Sequence, residues 1–307
     1  MVGKIEQQEW LKPVEERLQN ILHKFFQFKG GNEAKNFLHG TWLGHPLHVV
    51  LTDVPIGAWT AAIVFDALDS MSSRGRYRSA ADAAVVLGLV GAAGAAATGL
   101  TDWQDIDPPA RRIGLVHGLL NVASVGFFGG SLWARRKGNR VSGRGLAALG
   151  YAVSAIAAQF GGNLVYEQKI GVDHTSPEKL PEQFTAVLPE SELQDGKPAR
   201  ADYNGTPILL VRRGSQTFAL AETCSHLGGP LSEGKLDGDI IQCPWHGSRF
   251  SLRDGHVVDG PAVHPQPCLE ARIRNGQVEV RKSNCRISDE RSPAFAQQPQ
   301  RRTGTMG

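Results

Sequence analysis

Cys224-Ser225-His226 and Cys243-Pro244-Trp245-His246-Gly247 decide how this chain is to be read. Two short loops, with sixteen residues between His226 and Cys243, carry two thiols and two imidazoles. Zinc also accepts two Cys and two His, but zinc fingers usually pair Cys with Cys and His with His. Here each loop supplies one of each. That split suits a [2Fe–2S] centre in which two thiolates hold one iron and two imidazoles the other. A structural zinc site is the competing reading.

Around these four residues the chain resembles the Rieske family. Gly228-Gly229-Pro230 follow the first pair, Gly247-Ser248-Arg249-Phe250 follow the second, and Gly260-Pro261-Ala262 is similar to the family's proline loop over the cluster. The resemblance covers residues 183–282. It implies an all-β domain of antiparallel sheets and a [2Fe–2S] cofactor. Cys224 and Cys243 would bind one iron, His226 and His246 the other, with one-electron exchange at an exposed His226/His246 edge. High-potential members carry a disulfide between the loops and a Ser and a Tyr bonded near the cluster. The matching positions here are Gly229 and Trp245, which cannot bridge, then Ser248, which is retained, and Phe250, which lacks the hydroxyl. The expected potential is therefore low to intermediate within the Rieske range of about −150 to +300 mV. Aromatic-ring oxygenases of the family place a non-haem iron domain after the Rieske domain. Only residues 283–307 follow here, without a His, so no two-His-one-carboxylate site is expected. The chain reads as an electron carrier and not an oxygenase catalytic subunit.

At 307 residues the chain is long enough for two domains, and a net charge of +3 gives no global argument for nucleic acid. Cys268 and Cys285 fall outside the ligand pattern; they could pair only if the tail folds back, and unpaired thiols are expected. No cleavable signal peptide is expected, because the first apolar run starts well past residue 40. Upstream, Trp10, Leu11, Val14, Leu18, Ile21, Leu22, Phe25 and Phe26 recur at three- and four-residue steps. Residues 4–28 thus read as an amphipathic helix, lying at a membrane surface or against a neighbouring domain.

Four apolar runs follow. Ala83–Leu100, Ile113–Ala134 and Gly145–Val165 contain no Asp, Glu, Lys or Arg. Each nears the length that spans ~30 Å of hydrocarbon. The first, Leu47–Leu68, is interrupted by Asp53, Pro55 and Asp66. Small residues at four-residue spacing, such as Gly91/Ala95, Gly114/Gly118 and Gly126/Gly130, let helices approach closely in lipid. The expected fold is multidomain: residues 1–46 as an amphipathic lead-in, an α-helical transmembrane four-helix bundle over 47–166, a linker to 183, the all-β Rieske domain over 183–282, and a disordered tail over 283–307. Within the β region, Asn275-Gly276 is a strong hairpin signal. The connections at Ser70–Ala80 and Arg135–Arg144 are basic. The positive-inside bias puts them in the cytoplasm of a prokaryotic cell and the Rieske domain on the extracytoplasmic face.

Segments His39–His48, Asp53–Gly57, Thr98–Trp103 and His117–Asn121 resemble an uncharacterised family of four-helix membrane proteins, sometimes fused to Rieske domains. No activity follows from that resemblance. Polar residues within spans are costly and are functional candidates by default. Four alternating spans gather His45, His48, Asp53, His117 and Asn121 on the side where the Rieske domain emerges. Three readings stay open: a b-type haem ligated by His117 and either His48 or His45, a quinone pocket using His48, Asp53 and His117, or a polar network that only packs helices. The function expected is a membrane-anchored electron-transfer protein. Its partners would be membrane lipid, a protein redox donor and acceptor and, in one reading, quinone, with no nucleic acid. A quinol- or haem-linked oxidoreductase and a redox sensor or scaffold are the alternatives.

Overall fold

The computed structural model describes residues 8–72, 75–175 and 179–283. Residues 4–7 of the expected N-terminal helix and the expected tail beyond Ser283 lie outside the described residues.

Pro13 stands in the first turn of α1 (Lys12–Phe25), where a missing N–H costs nothing. The periodic pattern ends sooner than residue 28. Gly30, at φ +92°, caps a separate short helix, α2 (Gly31–His39), that the apolar spacing did not reveal. Four long helices follow: α3 (Leu47–Met71), α4 (Arg78–Trp103), α5 (Ala110–Arg136) and α6 (Arg140–Tyr166). All four are long and apolar enough to cross a membrane. Each extends past its apolar run because the flanking polar residues remain helical. Asp53, Pro55 and Asp66 do not interrupt α3; Pro55 is buried within it, as lipid-spanning helices tolerate.

The bundle is two helical hairpins, α3/α4 and α5/α6, and the second repeats the first. His48, Trp59 and Asp66 stand at the same spacing along α3 as His117, Phe128 and Arg135 along α5. Trp59 and Phe128 stack across the bundle centre with centroids 4.1 Å apart. The Arg135 guanidinium donates to Asp66 at 2.9 Å and to Asp82 at 3.0 Å. The partner helices repeat their glycines. A Cβ at Gly88 would lie 2.1 Å from the Trp59 ring, and one at Gly150 would lie 3.0 Å from Phe128. Close approach of small residues substitutes for a thick apolar core in lipid.

The C-terminal region holds two antiparallel sheets. Strands β1 (Thr185–Pro189), β2 (Pro198–Tyr203), β3 (Thr206–Arg213), β4 (Gln216–Ala221), β9 (Cys268–Arg274) and β10 (Gln277–Lys282) form a six-stranded sheet ordered β1-β10-β9-β4-β3-β2. Strands β5 (Lys235–Asp237), β6 (Ile240–Gln242), β7 (Arg249–Ser251) and β8 (Val257–Asp259) form the second. Asn275 and Gly276 take φ of 51° and 72°, as a type I′ hairpin requires. Asn204-Gly205 builds an equivalent turn between β2 and β3. Leu209, Val211, Leu220, Leu231, Ile241 and Phe250 are buried between the sheets, each contributing roughly 1.5–3 kcal/mol of apolar transfer. Cys268 is buried at the head of β9 and is disulfide-bonded, not the unpaired thiol expected. Cys285 lies outside the described residues.

Candidate metal centre

The two Cys/His loops are built alike. Cys224 N–H donates to Gly229 O at 2.9 Å, and Gly228 N–H returns to Cys224 O at 2.9 Å. In the second loop Cys243 N–H donates to Ser248 O at 2.8 Å, and Gly247 N–H to Cys243 O at 3.2 Å. Gly228 and Gly247 sit at φ +79° and +78°, where a Cβ is strained. The turns aim backbone N–H groups of His226 and Leu227 at the Cys224 sulfur, and those of Trp245 and His246 at the Cys243 sulfur. Gly229 is bare by necessity, since its Cβ would lie 2.8 Å from Cys243 Sγ and 3.0 Å from the Trp245 ring.

Both cysteines are buried and hydrogen-bonded to each other, which drives Cys224 up and lowers Cys243 to about 6. The His226 and His246 rings lie 5.1 Å apart. His226 Nδ1 is buried with no hydrogen-bond partner. Burial, and then the neighbouring His246, push His226 down to about 3, so its imidazole is neutral and able to ligate. Among the described residues no three His, Cys, Asp or Glu converge as a single metal ion needs. A two-iron cluster asks only two protein ligands per iron, so the donor set fits the cluster better than zinc.

The supporting shell follows. Ser248 is fully buried and its Oγ accepts from Ala262 N at 3.0 Å, fixing the loop that carries Pro261. Phe250 is likewise fully buried and presents only hydrocarbon. The sequence reading missed Gln266. Its Oε1 accepts from Ser225 N at 2.8 Å, while its Nε2 donates to Ala221 O and Thr223 O, both at 2.9 Å. A lone Gln after a proline loop carries no sequence signal.

The imidazole edge is not exposed, contrary to expectation. The bundle end formed by α2 and the connection between α4 and α5 covers it. His246, with 13% of its side chain accessible, brings Nε2 to 3.0 Å from Asp107 Oδ2. Asn36 on α2 clamps the proline loop, donating to Asp259 Oδ1 and accepting from Gly260 N, both at 2.9 Å. A cavity of about 50 Å³ remains between them, lined by His39, Asp102, Ser225, His226 and Pro261 among others. It has room for a water or so.

His39 is 1% exposed. It donates to Asp102 Oδ1 at 2.7 Å and lies 3.4 Å from Asp105 Oδ2, which Lys35 also approaches at 3.1 Å. Burial alone would lower the His39 pKa, but the bonds and charges of Asp102 and Asp105 override it and hold the pKa above its ordinary value. Burial would likewise raise Asp105, and His39 with Lys35 turn it downward. His39 thus adds stability in full below the unfolded His pKa of about 6.5, lost as pH rises through its raised value. Asp105 adds stability above the unfolded Asp pKa, lost as pH falls through its depressed value. Amide exchange of residues 102–107, corrected for intrinsic rate, should therefore quicken as pH is raised from about 6 to 9. His39→Gln should remove that alkaline rise; a flat wild-type profile would contradict the coupling.

In the bundle the structure separates the candidate residues. His48 Nδ1 donates to Ala95 O at 2.8 Å, and His117 Nδ1 to Ala157 O at 2.9 Å. A Cβ at Gly99 would lie 2.7 Å from the His48 ring, and one at Gly161 would lie 3.1 Å from the His117 ring. The two imidazoles are thus equivalent in the repeat. Asn121 Nδ2 lies 3.1 Å from His117 Nε2. His45 instead turns out of the bundle toward His264, with ring centroids 6.0 Å apart, and Asp53 is exposed on the outside of α3. Neither joins the His48/His117 level.

Comparison with known proteins locates these features in families. Residues 183–270 match the Rieske [2Fe-2S] domain, and residues 44–174 match the family described as "Predicted membrane protein (DUF2231)". Ferredoxin CarAc of Metapseudomonas resinovorans is 37% identical over 95 residues, covering 31% of this chain and 89% of that protein. The ferredoxin component of biphenyl 2,3-dioxygenase from Rhodococcus jostii (strain RHA1) is 31% identical over 97 residues, 32% of this chain and 91% of that one. Among solved structures, the ferredoxin of carbazole 1,9a-dioxygenase from Nocardioides aromaticivorans IC177 aligns at 26% identity with a TM-score of 0.31, over 33% of this chain and all of that chain.

Proposed function

Because the chain belongs to the Rieske [2Fe-2S] family and carries a membrane domain before that region, we propose that it is a membrane-anchored one-electron carrier. Cys224 and Cys243 would hold one iron of the cluster, and His226 and His246 the other. When bound, the cluster supplies a single electron of reducing or oxidising capacity. The chain sets the terms. Its N–H groups soften the thiolate charge, its neutral imidazoles lift the potential, and its loops keep water from the sulfurs. The observation that carries the reading is the His246–Asp107 contact, which turns the electron-exchange edge toward the membrane domain. Electrons would pass between the membrane domain and the cluster through that edge, and between the cluster and a partner protein elsewhere on the Rieske domain. The test is a redox titration of the detergent-purified chain, followed by visible absorption and electron paramagnetic resonance. The expected result is a reduced-state cluster signal that appears with one-electron behaviour. A cluster that stays oxidised in dithionite, or no cluster at all, would overturn the reading.

A low to intermediate potential is part of this proposal, supported by Phe250, which has no hydroxyl, and by the anion beside His246. Negative charge near a ligand favours the oxidised cluster. Asp107→Asn should therefore raise the midpoint by tens of mV, where about 59 mV is tenfold for one electron. An unchanged or lower midpoint would show that Asp107 does not tune the cluster.

Extracytoplasmic placement of the Rieske domain is supported by the far end of the bundle, which carries Arg76, Arg78, Arg135, Arg136, Lys137, Arg140 and Arg144. Of these, Arg78, Arg135, Arg140 and Arg144 are paired with Asp66, Asp69 or Asp82. Protease digestion of sealed, oriented vesicles reads the side directly; protection of the Rieske domain in right-side-out vesicles would reverse the assignment.

One observation favours the haem-linked alternative. His48 and His117 each donate Nδ1–H to a backbone carbonyl, the arrangement that orients Nε2 for a metal. Sharp haem bands above the broad cluster absorbance would establish a second centre, and their loss in His117→Ala would assign it. The cluster spectrum alone leaves the pair as hydrogen bonds that fasten each hairpin.

A further inference from the structure

The N-terminal helix carries two apolar stripes, and only one of them is packed. Leu11, Leu18 and Leu22 lie against Trp103, Ile106, Ala110 and Leu115 at the bundle end. Fully buried Glu15 lies within ion-pair distance of Arg111 and Arg112, at 3.6 and 3.5 Å. Gln19 accepts from Arg111 at 2.6 Å and donates to Gln104 O at 2.9 Å. The helix is therefore fastened across the end of the bundle. Its second stripe, Val14, Ile21 and Phe25, continues into Trp10 and Phe28, and these five side chains are 48–70% exposed. Arg17 and Lys24, both exposed, border that stripe.

We propose that this second stripe lies in the surface of the lipid bilayer, making α1 a shelf that fixes the height of the cluster domain above the membrane. Continuity names the occupant. The stripe adjoins the bundle end from which the apolar outer faces of α3 and α5 begin, with Val49, Val50 and Leu119 exposed in their early turns. Trp and Phe concentrate at the level where hydrocarbon meets headgroups, and flanking cations reach headgroup phosphates. The exposed Phe37–Trp42 stack, with centroids 5.7 Å apart, adds a second aromatic anchor on the same lead-in. The inference rests on the bundle spanning a bilayer and is independent of the cluster.

The test uses the full chain in phosphatidylcholine nanodiscs, with a photoreactive benzophenone amino acid placed singly at Ile21, Phe25, Glu16 or Asn20. Val122, exposed on α5, is the positive control. Mass spectrometry after illumination should find acyl-chain adducts at Ile21, Phe25 and Val122 and none at Glu16 or Asn20. Adducts at Val122 with none at Ile21 and Phe25 would overturn the shelf. So would chain-to-chain adducts at Ile21, which would assign the stripe to a second copy. No adduct at Val122 either would overturn the spanning bundle and the shelf together. Brominated lipid gives a second readout without a new side chain. The quenching of tryptophan emission should fall in Trp10→Phe, and equal quenching in both proteins would count against the proposal.

Discussion

Cys243→Ala will abolish the reduced-state resonance signal of the cluster completely. The two sulfurs lie side by side in one buried pocket, each capped by its own loop's N–H groups, so neither can be replaced by a neighbour. Of the other two cysteines, Cys268 is disulfide-bonded on β9. Alanine also empties volume from the core that Cys224 and Cys243 share with Leu231, Ile241 and Phe250. The loss should stay local. The outer face of the six-stranded sheet has its own core of Leu193, Ile208, Leu210, Val278 and Val280, so circular dichroism should retain most of the strand signal. His246→Ala should abolish the signal as well and also release Asp107. Cys268→Ala provides the contrast, since it should retain the cluster. A surviving signal in Cys243→Ala would sink the ligand assignment.

Asp66→Ala should cost up to about 3–5 kcal/mol of bundle stability, the penalty for stripping a buried charge of one of its two carboxylate partners. The Arg135 side chain is fully buried, with Nε on Ser131 Oγ at 3.0 Å and its remaining donors on Asp66 and Asp82. Removing Asp66 also strips a counter-charge from Arg144. Replacing both partners, as in Asp66→Ala/Arg135→Leu, removes the uncompensated charge and should recover most of the loss. Detergent-induced unfolding of the purified chain measures both. A single variant as stable as the parent would mean that Asp82 alone satisfies the guanidinium.

The cluster loops were legible because their chemistry is local. Cys, His and Gly at fixed offsets make the same turn wherever they occur, and the structure pairs Cys224 with Cys243 and His226 with His246. The spans were legible because bilayer thickness sets their length. What escaped was set by relations between distant segments. The hairpin repeat shows in the sequence only as a shared spacing of His, aromatic and charged residues, with the residue types changed at two of the three positions. The covered imidazole edge depends on Asp107, Asn36 and His39, three polar residues in short connections whose meaning appears only after folding. His45 and His48 look alike in sequence. One helical start separates them, so His48 points between helices and His45 toward the Rieske domain. The first helix closes at Phe26, and Gly30 in the left-handed region starts a second one, conformational effects that apolar periodicity cannot register.

Closure of the imidazole edge by Asp107 has a consequence for how long an electron stays. A reduced iron–sulfur centre open to solvent can lose its electron to dioxygen before a partner arrives. Here the edge rests on protein, which excludes side reactions as a closed active site does. Residence time then becomes a property of the contact. Weakening it, as Asp107→Asn would, should speed aerobic reoxidation of the cluster even where delivery to its proper acceptor is unchanged.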